Sequence, residues 1–223
     1  MKRAFTLAEV LITLGIIGVV AAVTMPMLIG HYQKVVWYNQ FKKAVSQLEN
    51  AFKLYEVDND CVGNIVDCLS CNGSQQDHCA IYAKDIMPYF KISKVITEDN
   101  YETVCKNAFE QNINYPCYND FGRRHEFGFI TNDGMMINSD NDLIIGYGEF
   151  VIDINGPNKN PNKYGRDIFV FIPPNVGLKN KMLIPAGSIL EKEYNSGFMS
   201  TCDEAGHYYG CAGKLLSEGK MNY

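Results

Sequence analysis

The sequence predicts an α+β fold, a long N-terminal hydrophobic spine helix packed on a C-terminal antiparallel β-sheet head. Three observations carry this expectation. An apolar run, MKRAFTLAEVLITLGIIGVVAAVTMPMLIG, passes into a stretch whose apolar residues recur at helical spacing. Short β-rich segments divided by turn-forming residues fill much of the second half, and every cysteine lies beyond the apolar run.

From Val10 to Gly30 no side chain carries a formal charge. As a helix this stretch is about 31 Å long, enough to cross a hydrocarbon core of roughly 30 Å. Lys2 and Arg3 in front of it would stay cytoplasmic. On residues alone the segment serves as a membrane anchor, or as a secretory signal cut near Val20-Ala21-Ala22 to leave a chain starting at Val23. Neither use explains Glu9, because an ionisable side chain in a spanning helix is costly and normally has a partner. After Gly30 the residues Phe41, Ala44, Val45, Leu48, Ala51, Phe52 and Tyr55 form one apolar stripe, with Lys42, Lys43, Glu49 and Lys53 between them. A helix over residues 5–57 would be about 80 Å long, with only its second half embedded in a head. Pro26 lacks an N–H and predicts a kink or local melting.

Asp58-Asn59-Asp60 ends the helix, and the Gly- and Asn-rich stretch to Cys79 reads as a stapled loop. Residues 81–90 allow a short helix with a break near Pro88. Glu126–Ile130 and Met135–Asn138 flank Asn132-Asp133-Gly134, a strong hairpin signal. Phe150–Ile154 and Asp167–Ile172 are further β-rich runs, and Lys181–Ile184 reads as an edge strand ending at Pro185.

Composition narrows the function. With 223 residues, a formal charge of −5 and no basic run, the chain lacks the Lys/Arg clusters that collect phosphates, so no nucleic-acid partner is expected. Eight cysteines, Cys61, Cys68, Cys71, Cys79, Cys105, Cys117, Cys202 and Cys211, suit an oxidising compartment. Local closure costs least chain entropy, which predicts Cys202 with Cys211 and Cys105 with Cys117. Cys61, Cys68, Cys71 and Cys79 then pair among themselves in one of the three ways open to four cysteines. Cys68 and Cys71 form a CxxC that, with His78 and Cys79, can also be drawn as a zinc site or as the redox pair of a periplasmic thiol oxidoreductase. Structural disulfides outweigh both, since the βαβ context of a redox pair is missing and disulfide formation competes with zinc in an oxidising compartment. His31, His78, His125 and His207 are scattered, no hydrolase, metalloprotease, Walker or dinucleotide fingerprint occurs, and no catalysis is expected.

Lys2-Arg3-Ala4, then Phe5-Thr6-Leu7-Ala8-Glu9, then an apolar run holding Gly18 and Pro26, resembles the N-terminal signal of type IV pilins and type II secretion pseudopilins. The resemblance implies cleavage by a prepilin peptidase between Ala4 and Phe5 and methylation of the new Phe5 amine. The family usually has glycine where this chain has Ala4. Glu9 falls at the family's glutamate, fifth from the cut, and Gly18 and Pro26 fall where the family loosens its helix. The implied organisation is a leader over 1–4, a spine helix over 5–57 and a disulfide-stapled head over 58–223. Its partners would be identical or related pilin subunits, the peptidase and an inner-membrane assembly platform. The precursor would cross the bacterial inner membrane once with its head in the periplasm, then enter a periplasmic or extracellular filament. Glu9 would pair with a neighbouring subunit's Phe5 amine, because a cation buried among apolar groups needs a counter-charge. The rival from another class is a signal-anchored extracytoplasmic binding protein.

The stretch 153–167 is dense in oxygens and has two readings. Calcium takes six to eight oxygen ligands, and Asp153, Asn155, Asn158 and Asp167, with carbonyls and water, could supply them. Some pseudopilins hold calcium in a head loop, which favours the metal. Lys159, Lys163 and Arg166 oppose a dication, and the same residue types build long turns whose aspartates accept backbone N–H groups, so the turn carries more weight. No other cofactor is expected.

Overall fold

The computed structural model describes residues 6–68, 81–111, 116–117, 128–140, 149–174, 183–194, 200–203 and 208–223. The chain divides into two compact units, Met1–Val36 and Trp37–Tyr223.

Helix α1 spans Leu7–Asp58 and runs unbroken through Pro26, so the local melting expected there is not found. A proline removes one backbone donor, and the turns on either side keep theirs. In the first unit the helix has an exposed apolar surface: Leu7, Ile17 and Leu28 are 80%, 64% and 69% exposed. By length and hydropathy this helix is able to cross a membrane. Gly18 and Pro26 are both exposed on it.

The second unit begins inside the same helix, at Trp37. Phe41, Ala44, Leu48, Ala51, Phe52 and Tyr55 are buried at the spacing read from the sequence, and Val45 packs partly buried against them. They need a surface to cover, and a six-stranded sheet supplies it. The strands are β1 (Ile92–Val95), β2 (Phe129–Thr131), β3 (Met136–Asp140), β4 (Glu149–Asp153), β5 (Ile168–Ile172) and β6 (Ile184–Pro185), ordered as in the chain. Every neighbouring pair is antiparallel. The fold is therefore α+β. The β2–β3 hairpin turns at Asn132-Asp133-Gly134, where Gly134 has φ +93° and donates its N–H to the Thr131 carbonyl. That backbone region is open to glycine at no steric cost.

Strand side chains alternate between faces, and both faces of this sheet are covered. Phe129, Ile137, Phe150, Ile152, Phe169 and Phe171 join the spine stripe in the main core, with Ala212 and Leu215 of helix α6 (Cys211–Glu218). On the other face Met136, Val151 and Ile168 meet Val104, Cys105, Ala108 and Cys117. This second core comes from two helices absent from the sequence reading, α3 (Tyr101–Val104) and α4 (Lys106–Gln111). Its presence explains why β4 and β5 are buried at every position. Burial on both sides makes such strands read as continuous apolar runs and not as alternating ones.

Three further differences from the sequence reading concern short elements. Strand β1 was not expected. Residues 83–86 form helix α2, which ends just before Pro88 as expected, and a 3-10 turn over Met87–Tyr89, not foreseen, carries the chain past the proline. Helix α5 (Ile189–Tyr194) follows β6 at the end of the sheet.

Candidate assembly site at the start of the spine helix

Thr6 and Glu9 close a reciprocal cap at the start of α1. The Thr6 backbone N–H donates to Glu9 Oε2 at 2.9 Å, the Thr6 hydroxyl donates to the same oxygen at 2.9 Å, and the Glu9 N–H donates to Thr6 Oγ1 at 3.3 Å. This is a capping box, in which two backbone donors left over at a helix start are each given an acceptor. The sequence signal for it is Thr-x-x-Glu ahead of an apolar run, and the sequence reading passed over it. An anionic side chain in the first turn also meets the positive end of the helix dipole favourably. The carboxylate is exposed and lies within a surface of exposed Leu, Val and Ile. Ala4 and Phe5, the expected cleavage and methylation positions, lie outside the described residues.

The described cysteines sit far from this site in sequence and act as staples. Cys105 is bonded to Cys117, Cys202 to Cys211, and Cys61 to Cys68. The last bond corrects the thiol-oxidoreductase alternative: Cys68 takes Cys61 as its partner across seven residues and is not available to Cys71. Cys71, Cys79 and His78, the rest of the zinc drawing, lie outside the described residues. Among the described residues no group of three or more His, Cys, Asp or Glu is placed to hold a metal.

The loop between β4 and β5 brings together some of the residues expected to hold calcium. Asp153 and Asp167 are fully buried and Asn155 is nearly so. Asp153 Oδ1 accepts the N–H groups of Asn155 at 3.0 Å and Gly156 at 2.7 Å. Asp167 accepts the N–H of Asn162 at 2.9 Å through Oδ2 and that of Lys163 at 2.8 Å through Oδ1. Burial raises the Asp167 pKa, and these hydrogen bonds work against that rise. Asn158 does not join the group. Its side chain is exposed and accepts from Asn107 of α4 at 3.3 Å. Asn162, which the sequence reading did not single out, is fully buried in the loop instead.

The helix thus opens on a capped glutamate, exposes an apolar stretch long enough to cross a membrane, and ends packed on an antiparallel sheet. In comparison with known proteins, the model of the prokaryotic N-terminal methylation motif matches residues 1–25. Over 61 residues in its N-terminal region, 26% of the chain, the sequence is 41% identical to type II secretion system core protein G of Escherichia coli (strain K12). The match covers 39% of that protein's length. No solved structure matches the chain. The motif and this relative together support a place among the pilins and pseudopilins.

Proposed function

We propose that this chain is a structural subunit of a type IV pilus-like or type II secretion pseudopilus filament, working by polymerisation and not by catalysis. The carrying observation is the pairing of the methylation motif over residues 1–25 with an exposed apolar helix that holds one carboxylate at its start. Prepilin peptidase removes Met1 to Ala4 and the Phe5 amine is methylated. The head stays on the periplasmic side while the apolar part of α1 remains in the inner membrane. An assembly platform there passes the subunit to the growing filament. Packed against other subunits, the apolar face of the helix leaves lipid for protein, and small residues such as Gly15 and Gly18 allow close approach. The Glu9 carboxylate then pairs with the Phe5 amine of a neighbour, and this match of charges selects the correct register.

N-terminal mass spectrometry of the mature protein tests the processing. A chain beginning at methylated Phe5 is expected, whereas a start at Val23 or an intact Met1 would refute the reading. Glu9→Ala should leave cleavage largely intact and reduce incorporation into filaments at native expression, while Ala4→Phe should block cleavage.

A further inference from the structure

Resemblance to pseudopilins suggests calcium in the loop that joins β4 to β5, and the donor set there argues against it. We infer that in this chain the side-chain amides of Asn155 and Asn162 occupy the interior that a cation would fill, so that the head closes this loop without metal.

Each carboxylate offers about four acceptor positions. Asp153 Oδ1 accepts two backbone N–H groups, from Asn155 and Gly156. Asp167 Oδ2 accepts the Asn162 N–H at 2.9 Å and Asn155 Nδ2 at 3.4 Å, and Oδ1 accepts the Lys163 N–H. The remaining oxygen, Asp153 Oδ2, faces the Asn162 amide, whose orientation follows from its neighbours. With the nitrogen turned inward, Asn162 Nδ2 donates to Asp153 Oδ2 and to the Lys159 carbonyl, both at 3.3 Å. One buried amide thus bridges a carboxylate to a loop carbonyl, as a calcium ion would. Asn155 makes a second bridge, from Asp167 to the Asn160 carbonyl at 3.4 Å. By this count at most about one acceptor position remains on each carboxylate, beside Asn155 Oδ1, a buried acceptor with no partner. Together these fall well short of the six to eight oxygens that calcium takes. The bridging amides solvate two buried carboxyl groups by hydrogen bonds without bringing in a charge, and the nearby Lys159 and Lys163 lie exposed.

The inference does not depend on the filament reading. It is tested by thermal unfolding of the full chain in detergent, followed by circular dichroism, in chelator and in millimolar CaCl2. The wild-type Tm should agree in the two buffers within about 1 °C, because a ligand that does not bind the folded state cannot stabilise it. Asn162→Ala should lower Tm by about 5 °C in both buffers, since it removes the donor shared by Asp153 Oδ2 and the Lys159 carbonyl. Asn162→Asp puts a third carboxylate at the bridging position and should unfold earlier in chelator, with recovery of several degrees in CaCl2. A wild-type Tm that rises by several degrees with calcium overturns the inference. So does an Asn162→Ala chain as stable as wild type, or an Asn162→Asp chain that ignores calcium.

Discussion

Asp133, at the tip of the β2–β3 hairpin, offers a quantitative test of how the spine helix holds the sheet. Its Oδ2 accepts from Lys43 Nζ at 2.5 Å and from Gln47 Nε2 at 3.3 Å, both on α1, and the Thr131 hydroxyl donates to its other oxygen. Burial disfavours the charged form, but the hydrogen bonds from Lys43, Thr131 and Gln47 and the Lys43 charge outweigh it and bring the pKa down to about 2. Relative to the ordinary value of 3.8, at 1.36 kcal/mol per unit, this sets an upper bound of about 2.4 kcal/mol. Solvent screening reduces it, for the Lys43 and Asp133 side chains are 59% and 33% exposed. Asp133→Asn should therefore cost about 1 kcal/mol at neutral pH. Because the folded-state pKa is depressed, the contribution is fully present above the unfolded pKa and disappears as pH falls through about 2. Urea unfolding of both chains in detergent, followed by the fluorescence of Trp37, the single tryptophan, should show a constant gap from about pH 5 to pH 8 that closes between about pH 4 and pH 2. Trp37 is a suitable reporter because it packs partly buried against the main core. A gap that widens in acid, or equal stability at pH 7, would show that the Lys43–Asp133 contact does not hold the hairpin tip.

Two more substitutions probe the head. Phe41 is fully buried with its ring centroid 4.6 Å from that of Phe169 and 6.1 Å from that of Phe171. Phe41→Ala should cost about 3–5 kcal/mol and lower Tm by roughly 6–20 °C, measured by circular dichroism; a shift under about 2 °C would mean the ring does not anchor the helix. Glu191 is fully buried and accepts from the N–H groups of Gly187 at 2.6 Å and Ser200 at 2.9 Å and from the Ser200 hydroxyl at 2.7 Å. Glu191→Ala leaves those donors without an acceptor, at about 2–4 kcal/mol, and should speed hydrogen exchange at Gly187 and Ser200; unchanged exchange there would contradict the role of the carboxylate.

The elements legible in the sequence were those with a period or a punctuation mark. The spine stripe from Phe41 to Tyr55 and the Asn-Asp-Gly turn are strong local patterns, and β4 and β5 announce themselves by continuous apolar residues. Helices α3 and α4 have four and six residues, too few to show a period, and β1 is short with mostly exposed side chains. Helix α6 was hidden by Gly213, which reads as a helix breaker. A side chain there would strike the backbone of Gly187 and Ser188, so the glycine serves close packing of α6 on the segment after β6. At the spine's start Glu9 stood out as a charge, while Thr6, its capping partner, is an ordinary residue until the two are bonded. In the β4–β5 loop the aspartates could be picked out by charge, but the choice of Asn162 over Asn158 depends on which way the chain turns between them.

The two outer strands of the sheet bear on how such a chain can polymerise. Strand β6 has only two residues and ends in Pro185, which has no N–H to offer. Strand β1 carries an irregularity between Ile92 and Lys94, and the Lys94 side chain is exposed. Short, bulged, charged or proline-bearing rims are poor templates for another chain's backbone. For the filament subunit proposed above, which would join its neighbours many times over, such rims would keep the sheet edges from competing with the helix. Sheet-to-sheet growth, the route to amyloid-like fibres, is discouraged at both rims, and in the proposed filament self-association would fall to the exposed helix, where order can be imposed by register and charge.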